Sequence, residues 1–143
     1  MRQNFIYFSI FSALILFQSC HDHDSHNHDE DVVSEYSISI NSPSASAKTV
    51  GDTLFIDIDF EEEHEETVHH INVEVFNALD STIVYAEPVE AHIHATSGFH
   101  NFLDQIILTT SFANKDWVLQ AKVWGHDDGI AEISEKINFH VNP

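Results

Sequence analysis

Sulfur is almost missing from this chain: Cys20 is the only cysteine and Met1 the only methionine among 143 residues. No disulfide can form within one chain, and no set of soft sulfur ligands is available for Cu(I). Basic residues are scarce too. Five Lys and Arg stand against 24 Asp and Glu, giving a formal net charge of −19 with neutral His. Such a surface repels nucleic acid and anionic lipid and attracts cations, so nucleic acid is excluded as a partner. There is no glycine-rich phosphate loop and no Ser or Cys nucleophile motif. Hydrophobic residues make up 43% of the chain, enough for a core, and histidine is abundant, with 12 residues.

No apolar run is long enough to span a bilayer stably; Phe5 to Phe17 is the longest and falls short of the ~20 residues a spanning helix needs. Behind a short start carrying Arg2, it matches the apolar region of a signal peptide. Ser19-Cys20 follows at once. A small residue before Cys at this place resembles the lipobox of bacterial lipoproteins, with Phe17 and Gln18 where that family prefers an aliphatic and a small residue. The resemblance implies that residues 1–19 are removed and that Cys20 is acylated. The lipid would tether the chain at an outer membrane or cell surface. The next segment, HDHDSHNHDEDVVSE, has four His and six acidic residues and almost nothing apolar. It cannot bury a core, so residues 20–35 are expected to be a disordered tail.

From Tyr36 the pattern becomes period-two alternation broken by turn residues, the signature of short strands. Strands are expected at 36–41, 53–60, 68–77, 82–86, 102–110, 117–124 and 133–141. In 53–60 Leu54, Ile56, Ile58 and Phe60 share one face. In 117–124 Trp117, Leu119, Ala121 and Val123 do. No segment has a helical period. Seven short strands in residues 36–143 predict an all-β, immunoglobulin-like antiparallel sandwich. Gly51-Asp52 before the second strand, and Trp117-x-Leu119-x-Ala121-x-Val123 before a Gly/Asp turn, resemble the small immunoglobulin-like domains of lipoproteins from diderm bacteria. Many of those families have no assigned function, so the resemblance implies a fold and little else.

The histidines carry the functional signal. In an up-and-down reading, the connections 61–67, 87–101 and 125–129 meet at one pole. They hold His64, His92, His94, His100 and His126; His69 and His70 open the strand that leaves this pole. Only His140 falls near the other end. Imidazole is the usual nitrogen ligand of Zn, Cu, Ni and Co, and it binds when neutral. In an extended segment residues i and i+2 point the same way, so His92 and His94 make half a site. Gly98 allows the chain to turn and return His100. His126 or His70 would close the site, with Asp127 or Asp128 beside His126. His69 shares the inward parity of Ile71, which also suits a core or rim residue. The Glu61–Glu66 run would raise the local cation concentration or serve only as a solubilising loop. The tail residues His21, His23, His26 and His28 form a separate, flexible collector.

Nitrogen and oxygen donors without sulfur favour zinc, with Cu(II) or Ni(II) as the other borderline ions; calcium would leave the histidines unexplained. The expected function is a non-catalytic, membrane-anchored lipoprotein that captures, buffers or delivers a divalent transition metal, with a metal transporter or receptor as a possible partner. The alternative is a cell-surface interaction module whose His cluster is incidental. A third reading is a metalloenzyme. His-x-His on a sandwich is similar to copper-zinc superoxide dismutase, but that family's other ligand spacings and disulfide are absent.

Overall fold

The computed structural model describes residues 35–126 and 132–143. The leader, Cys20, the tail histidines His21, His23, His26 and His28, and Asp127 lie outside the described residues. Nine strands form in chain order: β1 (Tyr36–Ser42), β2 (Lys48–Thr49), β3 (Thr53–Glu62), β4 (Val68–Asn77), β5 (Ile83–Glu87), β6 (His92–Ala95), β7 (Phe99–Ile107), β8 (Lys115–Trp124) and β9 (Ile133–Asn142). A 3-10 turn, Thr110–Phe112, precedes β8. One sheet has the order β1-β3-β7. The other has the order β2-β9-β8-β4-β5, with β6 also paired to β4.

The alternation seen in the sequence fixes the inward faces. Leu54, Ile56, Ile58 and Phe60 of β3 face Ile71, Val73 and Val75 of β4 and Trp117, Leu119, Ala121 and Val123 of β8 in one core. Trp117, 2% exposed, is the largest of these side chains, and its indole N–H donates to the Phe112 carbonyl at 3.0 Å. A buried aromatic of this size anchors a small sandwich because its polar edge has a partner. The result is the immunoglobulin-like β-sandwich expected from the sequence.

The connectivity differs from a simple up-and-down meander. β3 and β4 lie in different sheets, and the chain crosses back between β6 and β7. Two short strands were not anticipated. β2 runs parallel to β9, and β6 lies inside what reads as a long loop. Both are too short to show a period. The polar clustering survives the change in topology because every long pairing is antiparallel. Tyr36 lies opposite Glu62, Glu61 opposite Phe99, His70 opposite Trp124, and Val123 opposite Ile133. These strand ends share one pole.

Two features shape that pole. Gly98, at φ +67°, occupies the left-handed region, and a Cβ there would sit 2.5 Å from the Glu65 Cα. Only glycine fits the crossing from β6 to β7. Glu62 is 3% exposed, and its carboxylate accepts the backbone N–H of Glu66 at 2.7 Å and of His64 at 2.9 Å. Burial alone would raise its pKa; those backbone donors outweigh it and hold the carboxyl below its usual value. Glu62 therefore orders the acidic 61–67 loop from within.

Candidate metal centre

β4 opens with an irregularity. Val68 and Ile71 are both fully buried although three residues apart, and the pairing with β6 shifts register between Val68 and His70. A bulge of this kind turns two successive side chains toward one face. His69 therefore does not follow the inward parity of Ile71. It lies beside His70, and both rings reach His126, with centroids at 4.3 Å and 4.5 Å.

The short strand β6 supplies two more rings. Ile93 packs on the core, while His92 and His94 on either side of it are exposed, their centroids 5.3 Å apart. His94 has φ +53°, part of the same irregular pairing. Because His70 is in register with His92, the β4 and β6 rings meet: His70 to His92 is 4.9 Å and His69 to His94 is 5.1 Å. His126 follows β8 and stands 5.0 Å from His92. Five imidazoles from three chain segments thus share the outer face of one sheet.

Their ligand atoms form two groups, His69 with His92 and His94, and His70 with His92 and His126. Within each group the atoms lie within 4.8 Å of one another. The Nδ1 atoms of His69 and His94 are 3.4 Å apart. Two nitrogens held at about 2.0–2.1 Å by one tetrahedral ion lie about 3.3 Å apart, so this pair already has the spacing of two ligands. His70 Nδ1 is buried without a hydrogen-bond partner. A buried polar atom in that state costs about 1–3 kcal/mol unless something satisfies it. The other face of His70 is covered by Trp124, whose ring stacks at 5.3 Å and 9°.

Burial lowers the pKa of His69, and the neighbouring His126, His94, His70 and His92 lower it further. Burial and then His126 and His92 do the same for His70, outweighing a hydrogen bond between its ring and the Trp124 backbone that favours the charged form. Both rings are held in the neutral form, the one that offers a lone pair to a metal. Among the described residues, no ion pair joins any of the five rings to a carboxylate.

The remaining candidates go elsewhere. Gly98 does bend the chain, but the bend delivers His100 into β7 of the other sheet, opposite Phe60. There it is half-buried on the parity of Phe102, which packs on the core, and burial lowers its pKa. Of the expected set, His92 and His94 with His70 or His126 do meet, but His100 belongs to neither ligand group among the described residues, and His69 of β4 stands beside His94 instead. His64 lies with its Nδ1 3.4 Å from the buried Glu62 carboxylate, also outside both groups. Trp124 was not singled out from the sequence. Its outward parity in β8 was legible, but its position opposite His70 depends on register.

No family model and no curated protein matches the chain. Solved structures do. The crystal structure of the CARDB domain of the PF1109 protein from Pyrococcus furiosus, in complex with di-metal ions, aligns with a TM-score of 0.52 at 9% identity, covering 77% of this chain and 90% of that one. The solution NMR structure of that CARDB domain aligns with a TM-score of 0.51 at 10% identity, over 76% of this chain and 95% of that one. At such identities the likeness is one of fold.

Proposed function

We propose that this protein is a membrane-anchored, extracytoplasmic lipoprotein that binds a divalent transition metal, zinc before Cu(II) or Ni(II), to capture, buffer or deliver it rather than to catalyse a reaction. The observation that carries this reading is the meeting of five imidazoles on one face, with the buried His70 Nδ1 left unpartnered. Five rings packed together in a chain with 24 acidic residues, none of them ion-paired to a carboxylate among the described residues, are arranged for a cation that prefers nitrogen. A sandwich of similar fold is known in complex with di-metal ions. The anchor rests on the apolar run that ends at Ser19-Cys20, and the His/Asp tail that follows would hold a pool of weakly bound ions.

The test is elemental analysis of the mature protein purified without an affinity tag, followed by calorimetric titration with Zn, Cu(II), Ni and Co. Bound zinc, or tight uptake that survives deletion of residues 22–31, supports the reading. Binding that vanishes with the tail would mean that the sandwich has no site of its own. For the anchor, Cys20→Ser should release the protein from the membrane fraction of its native host; persistence of that variant in membranes, together with no acyl mass on the wild type, would rule out acylation at Cys20.

A further inference from the structure

His92 is the one residue common to both ligand groups. It lies on the short strand β6, its ring centroid 5.3 Å from His94, 6.2 Å from His69, 4.9 Å from His70 and 5.0 Å from His126, while His69 and His126 are 4.3 Å apart. One tetrahedral ion has four positions, so it cannot use all five rings. An imidazole, in contrast, has two ring nitrogens pointing in different directions, and each can bind a metal. A ring common to both ligand groups can therefore complete both sets at once.

We infer that the cluster is a two-ion centre in which the His92 ring bridges one ion held by His69 and His94 and a second held by His70 and His126. This inference rests on the metal-binding reading above and adds its stoichiometry and its shared ligand. Bridging has a definite chemical balance. The neutral ring already offers one lone pair; to bind a second ion it gives its remaining N–H proton to solvent, and the freed electron pair forms the second nitrogen–metal bond. No oxidant or reductant is involved. The two ions would differ in setting. The His70/His126 position is backed by Trp124 and uses the buried Nδ1-bearing ring. The His69/His94 position uses the nitrogen pair already 3.4 Å apart. Each ion is held by three protein nitrogens, and its fourth position is filled by water or another exchangeable ligand.

The experiment uses the full mature chain with His21, His23, His26 and His28 replaced by Ala, so that the tail adds no equivalents. Calorimetric titration with zinc should show two equivalents. Loaded with two equivalents of Cu(II), the same protein should give the electron paramagnetic resonance signature of a magnetically coupled pair. His92→Ala, an exposed position that removes no core contact, should abolish the coupling and weaken both sites by more than the ~10–100-fold typical of losing an outer partner of a ligand. A single zinc equivalent would overturn the two-ion centre and leave metal binding intact. No uptake would overturn both. Two equivalents with uncoupled copper spins, or coupling that persists in His92→Ala, would overturn the bridge.

Discussion

The two poles of the sandwich treat histidine differently. At the pole where β8 begins, His140 is alone, and its Nδ1 lies 2.8 Å from the Asp116 carboxylate. At the pole where β8 ends, five histidines face one another. On a chain this acidic, a solitary surface histidine readily finds a carboxylate, so a cluster without one reflects the backbone that gathers it. The far pole is closed by hydrophobic packing around Trp117 and Phe112, rings 4.6 Å apart. The histidine pole is closed by Gly98, the Glu62 carboxylate and a bulge, and its five clustered rings have no carboxylate partner among the described residues.

That contrast can be broken most sharply at Trp117. Trp117→Ala should cost about 3–5 kcal/mol, as for other large buried aromatics, and the loss should be the same with and without zinc. Urea unfolding in the two conditions measures it; a zinc-dependent penalty would mean that the poles are coupled. Next in size is zinc itself. At a free concentration of about a hundred times the dissociation constant, binding should stabilise the wild type by roughly 2.7 kcal/mol, raising the melting temperature by about 10 °C or more. The double variant His92→Ala/His94→Ala should lose this shift, whereas His100→Ala and His140→Ala should keep it. An equal shift in the double variant would sink the site.

Smaller again is Glu62→Gln, expected to cost about 1–3 kcal/mol because it weakens charge-assisted bonds to buried backbone donors. The pH dependence has a definite sign. The folded carboxyl has a pKa below its ordinary value of 4.5, so the charged form stabilises the fold above that value, and this contribution is lost as pH falls through the lower folded pKa. Acid titration of stability should therefore be shallower in Glu62→Gln below about pH 4.5. The smallest effect belongs to the far pole. Asp116→Asn removes only an exposed pair with His140 and should cost less than about 1 kcal/mol by thermal melt.

Much of the domain was legible because strands announce themselves by alternation. β4 begins and ends where the sequence places it, and the inward faces of β3 and β8 follow directly from Leu54 to Phe60 and Trp117 to Val123. The gathering of histidines at one end was legible as well, since it needs only antiparallel neighbours. Its five members were all among the expected candidates, but which candidates would stay outside was not legible. His100 was expected beside His92 and His94 because six residues and a glycine permit a return; the chain instead uses that glycine to change sheets.

The sequence alone determined the alternating faces, the absence of sulfur ligands and of helical period, and the excess of acid and imidazole over base, because each is a property of residue type and spacing. The tertiary structure decided which rings meet. β6 exists only because β4 leaves its leading edge open for four residues, and the bulge between Val68 and Ile71 turns His69 outward against its parity. A shift of one residue in either pairing would send alternate side chains to the opposite face. Register is an energy of the packed sheet, set by what Ile71 and Ile93 bury, and no count of residues along the chain contains it.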